Sequence, residues 1–163
     1  MTHVSGRIAL SIVALAASLL TTATARLDRR IVDTAEAGNP SSEAVHGYAG
    51  DDVRVGMSGG QSYRQARGWM HYALKTFEDT PVTVACTFVG TDNVARGYDI
   101  VVEDSVITSR TFTSQPNTTA VAEIAVPFSL TKGKSYVAVI IRARGGETPA
   151  LQMIRTIQDH YEQ

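Results

Sequence analysis

After Gly60 the chain falls into short runs in which apolar positions alternate with their neighbours at period two. Val82, Val84, Cys86 and Phe88 alternate with Thr83, Ala85, Thr87 and Val89, and Tyr98, Ile100 and Val102 with Asp99, Val101 and Glu103. Ala120, Ala122, Ile124 and Val126 alternate with Val121, Glu123 and Ala125. Successive side chains of a strand point to opposite faces, so each run predicts a strand with one buried face. Glu103-Asp104-Ser105 separates the second run from Val106-Ile107 and predicts a hairpin turn. Pro127 ends the third strand because it lacks a ladder donor. Beyond the turn at Lys132-Gly133-Lys134, the nearly continuous apolar run from Tyr136 to Ala143 predicts a strand covered on both sides. Alternation returns over Leu151 to Ile157, after Gly145-Gly146. Between Trp69 and Thr76, Met70, Tyr72 and Leu74 suit one face of a strand; a short helix also fits, and the surrounding strands decide for strand.

Seven or eight short strands at roughly ten-residue spacing, without a long amphipathic helix, predict an all-β fold, an antiparallel β-sandwich of jelly-roll-like connection. From Ile31 to Gly60 there is little periodicity and much Gly, Pro, Ser, Asp and Glu, which predicts loops or an extended arm. Residues 26–38 are expected to be a flexible N-terminal segment, residues 39–163 one sandwich domain, and Ser109 to Thr119 one long polar loop.

The start of the chain is of another kind. An apolar run from Ile8 to Leu20 follows Arg7 and ends at Ala23-Thr24-Ala25, the pattern of a secretory signal peptide over residues 1–25. The run is about 13 residues, short of the roughly 18 that a spanning helix needs. Secretion to the extracellular side is therefore expected, with no membrane association after cleavage. Arg29-Arg30 offers a dibasic trimming site, so the mature chain is expected to begin at Arg26 or at Ile31. Of the charged residues, cleavage removes only Arg7, leaving 14 basic against 16 acidic, a net charge of −2. That balance argues against a nucleic-acid partner. Cys86 is the single cysteine, so no disulfide forms within the chain and a hydrophobic core must supply the stability.

Little in the sequence announces a reaction. The histidines after residue 25, His46, His71 and His160, lack the spacing of a zinc site, and no metal or cofactor is expected. Cys86 sits at an inward strand position, where a thiol behaves as a small apolar group. The acidic residues Asp51, Asp52, Asp99, Glu103 and Asp104 lie beside glycine or at strand ends, where turn chemistry accounts for them, so no catalytic residue is assigned. Gly90-Thr91-Asp92-Asn93 offers oxygen ligands for calcium without a supporting loop spacing. Asn117-Thr118-Thr119 is an N-glycosylation sequon; Asn39-Pro40-Ser41 is blocked by its proline. The strongest binding candidate is the aromatic and basic group Tyr63, Arg64 and Trp69, beside His71 and Tyr72. A flat aromatic stacks on a sugar ring, and a guanidinium fixes the hydroxyls. Trp69 is out of phase with Met70, Tyr72 and Leu74, which predicts an outward-facing indole.

The stretch from Asn39-Pro40-Ser41-Ser42-Glu43 and His46, through Gly56 and Gly60, to Tyr63-Arg64-Gln65-Ala66 and Gly68-Trp69-Met70-His71-Tyr72-Ala73-Leu74 resembles a known domain. So do Pro81 to Phe88, Gly90-Thr91-Asp92, Arg96-Gly97-Tyr98-Asp99-Ile100-Val101-Val102 and Ile124 to Ala143. That domain is the C-terminal accessory β-sandwich of glycoside hydrolase family 127, the β-L-arabinofuranosidases and related proteins. In that family the resemblance implies that catalysis belongs to a separate helical barrel with a zinc-bound cysteine and glutamates, no part of which is present in this chain. It implies a stand-alone, non-catalytic module whose partners are glycans or a carbohydrate-active enzyme. Tyr63 stands where the family has tryptophan, and Gln65 where it has an acid. Two alternatives stay open: a small extracellular hydrolase with a cryptic carboxylate pair, and a surface interaction protein that keeps only the fold.

Overall fold

The computed structural model describes residues 27–161; the signal peptide expected over residues 1–25 lies outside them. Nine strands run in the order β1 (Leu27–Glu36), β2 (Ala49–Ser58), β3 (Gln61–Lys75), β4 (Val82–Val89), β5 (Arg96–Val102), β6 (Ser105–Phe112), β7 (Thr119–Ala125), β8 (Tyr136–Arg144) and β9 (Ala150–Tyr161). Two short helices accompany them, α1 (Pro40–Val45) and α2 (Phe128–Thr131). All pairings are antiparallel, in the order β6-β5-β8-β3-β9-β4-β7, with β2 on β3 and β1 on β9.

The long strand β3 joins the layers of the sandwich. Its residues Trp69 to Lys75 pair with β8, whereas Arg64 pairs with Leu151 of β9. One layer is therefore β2-β3-β8-β5-β6 and the other β1-β9-β4-β7. Met70, Tyr72 and Leu74 of β3, Val137, Val139 and Ile141 of β8, and Tyr98, Ile100 and Val102 of β5 form the inner face of the first layer. Val82, Val84, Cys86 and Phe88 of β4 and Ile154 of β9 answer them from the second. Phe88 packs on Tyr98 with ring centroids 5.0 Å apart and on Phe112 at 5.6 Å, joining the layers directly. Each fully buried side chain of this size contributes about 1.5–3 kcal/mol, and this core carries the fold without a staple.

The expected strands after Gly60 are present, and Trp69 to Lys75 is strand. Val102 and Ser105 close the β5–β6 hairpin, with Glu103 and Asp104 both at positive φ, the two-residue turn that matches strand twist. Four expectations are corrected. Residues 27–36, expected to be flexible, form β1, paired with β9 from Leu27↔Tyr161 to Glu36↔Met153. Much of the stretch to Gly60 is likewise ordered, as α1 and β2. Backbone ladders hold β1 and β2, and their side chains are mostly exposed, so no hydrophobic period marks them. The polar loop expected from Ser109 to Thr119 is shorter, because β6 continues to Phe112. Finally, β8 buries Val137, Val139 and Ile141 on one face only; Ala138 and Ile140 are half-buried and Arg142 is exposed on the other.

Helix α1 starts where Asn39 caps it, its side-chain oxygen accepting from the amides of Ser41 (3.1 Å) and Ser42 (3.3 Å), with Pro40 in the first turn. Buried polar side chains close the other end: Gln158 accepts from Phe77 N (2.6 Å) and donates to Phe77 O (3.0 Å) and Thr80 O (2.8 Å), tying the β3–β4 connection to β9.

Candidate functional site

Strand register places five residues in one row across the outer face of the first layer. Asp51 of β2 is opposite Trp69 of β3, Trp69 opposite Arg142 of β8, Arg142 opposite Asp99 of β5, and Asp99 opposite Ser109 of β6. The next row on this face is Ala49, His71, Ile140 and Val101. Trp69, Val101, Asp104, Ile140 and Arg142 line an open hollow of about 240 Å³. Asp99 fixes the guanidinium beside the indole: Arg142 donates to Asp99 Oδ2 from Nη2 (2.9 Å) and Nε (3.3 Å). Ser109 Oγ donates to Asp99 Oδ1 at 2.6 Å. The Ser109 hydroxyl, then Arg142 and Arg144, hold the Asp99 carboxyl below the usual carboxylate range. Arg142 Nη1 and the Trp69 ring nitrogen have no hydrogen-bond partner among the described residues. An aromatic face, an oriented guanidinium and an apolar floor of Ile140 and Val101 can together seat a sugar ring: C–H groups on the ring face, hydroxyls at the rim.

The three residues expected to form one platform do not share it. Trp69 faces outward as its phase predicts and is partly buried. Arg64 does not adjoin it: the β2–β3 ladder shifts register between Trp69 and Ala66, and Arg64 lies beyond that shift. Arg64 instead grips the buried Glu43 of α1, Nε to Oε1 at 2.9 Å and Nη2 to Oε2 at 2.7 Å, with its guanidinium 4.9 Å from the Tyr48 ring centre. The arginine beside Trp69 is Arg142, which only the β3–β8 register could have revealed. Tyr63 lies across Gly56 of β2, where a Cβ would come within 2.3 Å of the ring, and neither it nor Arg64 lines the Trp69 hollow.

The remaining candidates are placed as follows. Cys86 points into the core between Val84 and Phe88, fully covered, and burial pushes its thiol up to about 12. Asp92, offered as a calcium ligand, is occupied by Arg96, whose Nη1 and Nη2 donate at 2.5 and 2.7 Å, and by Val94 N at 2.9 Å; these bonds lower its carboxyl to about 2. Among the described residues no three His, Cys, Asp or Glu side chains gather as a metal site. Asn117 of the sequon is exposed at φ 62°, and its Oδ1 accepts from Ser58 Oγ at 3.1 Å.

The fold is similar to that of carbohydrate-binding modules. A family 35 carbohydrate-binding module from an environmental isolate superposes with a TM-score of 0.61 at 16% identity, covering 80% of this chain and 98% of that one. A family 36 module in complex with calcium and xylotriose gives 0.53 at 12% identity, covering 76% and 98%. An exo-β-1,3-galactanase from Phanerochaete chrysosporium, with galactose, gives 0.53 at 13% identity, covering 76% of this chain and 28% of the enzyme. Identities this low show a shared fold, the β-sandwich of carbohydrate-binding modules. No curated protein matches the chain. A family model does match it, over residues 26–157, nearly all of the sandwich, and the chain belongs to that family of unknown function, DUF6805.

Proposed function

We propose that this protein is a secreted, non-catalytic glycan-binding module that works beside a carbohydrate-active enzyme, and that the outer face around Trp69 and Arg142 holds the sugar. The observation that carries the reading is the cross-strand pair itself, a lone tryptophan turned outward over an apolar floor with a guanidinium oriented beside it by Asp99. The sandwich shared with carbohydrate-binding modules supports it. So does the resemblance of the sequence to the accessory domain of glycoside hydrolase family 127, and the apolar leader at residues 8–20 supports export. Carbohydrate in such a site is held by stacking and a few hydrogen bonds.

The test is a glycan array probed with the chain from residue 26, repeated with Trp69→Ala and Arg142→Ala. Binding that disappears in both variants while their melting temperatures stay near that of the parent supports the site. Unchanged binding, or turnover of glycosides by the parent protein, overturns it.

A further inference from the structure

A second hollow lies on a different part of the molecule. It is lined by Glu36 at the end of β1, Gly60, Gln61 and Ser62 at the β2–β3 turn, and Gln152 and Met153 of β9, with a volume of about 230 Å³. Gln152 sits in the irregularity where β9 pairs Met153 with Thr87 and Leu151 with Phe88, skipping the residue between. Its carbonyl accepts from Ala37 N at 2.9 Å, and its side-chain amide, which has no hydrogen-bond partner among the described residues, is not sealed off from the surface.

The groups around it are also partly free. Glu36 Oε2 accepts from Asn39 Nδ2 at 2.8 Å, leaving Oε1 available. The Gln61 amide has no partner among the described residues, and Ser62 Oγ donates to Ala37 O at 2.8 Å while its lone pairs stay open. Met153 supplies an apolar wall.

We propose that this hollow is a binding site for one neutral sugar ring. Hydroxyls donate and accept at once, as an amide does, so a pair on adjacent ring carbons satisfies both ends of Gln152 and donates to Glu36. The Glu36 carboxylate repels a uronate or phosphate. Pockets for drug-sized ligands run to roughly 300–1,000 Å³, and this smaller one suits a single ring. As the only acidic side chain on the wall, Glu36 offers too few oxygens for calcium, which takes about 6–8. The class of ligand rests on the glycan-binding reading above; the place rests on the hollow alone.

The experiment is titration of the ¹⁵N-labelled chain from residue 26 with galactose, xylose and arabinose, and separately with galacturonate. The expected result is a set of shift changes at Gly60, Gln61, Ser62 and Gln152 with at least one neutral sugar and none there with galacturonate. Gln152→Leu and Glu36→Gln should each weaken that response about tenfold, a change of about 1.4 kcal/mol, with the Trp69 and Arg142 signals unaltered. Changes confined to the Trp69–Arg142 row overturn the second site and leave the first. Changes confined to the hollow support the second site and remove the first, and silence at both removes both. Should either variant fail to fold, the residue-specific shifts of the parent decide alone.

Discussion

Arg64 meets Glu43 through two parallel hydrogen bonds, 2.9 and 2.7 Å long, and so joins helix α1 to strand β3. Glu43 is 5% exposed, its Oε1 also accepts from Gly38 N at 2.7 Å, and burial pushes up the Tyr48 and Tyr72 phenols near it. Removing the guanidinium strands a carboxylate in a covered site. Arg64→Ala should lower unfolding free energy by about 3 kcal/mol, measured by chemical denaturation, while glycan binding at Trp69 persists. Loss of binding without loss of stability would return Arg64 to the sugar platform.

Acid should loosen the same corner. His46 stands between two acceptors, Nδ1 2.6 Å from Ser42 O and Nε2 3.1 Å from Asp33 Oδ1, and Asp33 Oδ2 also accepts from Lys75 N at 2.8 Å. Burial works against ionisation of Asp33, but the Lys75 amide, His46 and the Thr34 amide outweigh it and the carboxyl titrates below its ordinary value. A lowered folded value means that stability is fully present above the unfolded value, about 3.9, and drains away as pH falls through the folded one. Asp33→Asn should flatten the fall in melting temperature between about pH 4 and pH 2 relative to the parent. An equally steep profile in the variant would assign the acid sensitivity to Asp92, Asp99 and Glu103 alone, whose carboxyls are also held low.

The covered thiol gives a third test. With its value raised to about 12, Cys86 carries almost no thiolate at neutral pH. A thiol reagent should label the folded protein only at the rate of opening, and Cys86→Ala should cost roughly 1 kcal/mol with no effect on binding. Rapid labelling of the native state contradicts the buried placement.

What the sequence made legible follows from how each element is held. Val82 to Phe88 and Tyr98 to Val102 sit between the layers, so burial imposes period two on their residues. Strands β1 and β2 are held by backbone bonds at the margins of the sheets, and backbone bonds leave no trace in side-chain polarity. Asn39-Pro40 did carry a signal for α1, a capping residue followed by a proline suited to the first turn. At the site, the outward phase of Trp69 was readable against Met70, Tyr72 and Leu74. Its partner was not, because Arg142 reaches it only through strand pairing between segments distant in the chain.

Gly56 offers a test of how Tyr63 is held. The two residues are opposite each other in the β2–β3 ladder, and a Cβ on Gly56 would lie 2.3 Å from the ring atoms of Tyr63. Gly56→Ala must push the ring aside, at a cost of about 1–3 kcal/mol. In a Tyr63→Ala background the three ring atoms that the Cβ would strike are gone and the same change should cost far less, so a double-mutant cycle reads the clash directly.

The last prediction concerns the start of the mature chain. Arg29 and Arg30 belong to β1, opposite Asp159 and Gln158 of β9, and Arg29 Nη2 pairs with Glu123 Oε2 of β7 at 2.8 Å. Trimming to Ile31 would remove the ladder from Leu27↔Tyr161 to Arg30↔Gln158 and leave that stretch of β9 with an unpaired edge. A protease needs its target backbone extended and free, and a strand already paired in a ladder is not free. The secreted form should therefore begin at Arg26 by intact mass, and a version begun at Ile31 should melt at a lower temperature. A secreted product starting at Ile31 with unchanged stability would mean that the first turns of this ladder contribute nothing to the sandwich.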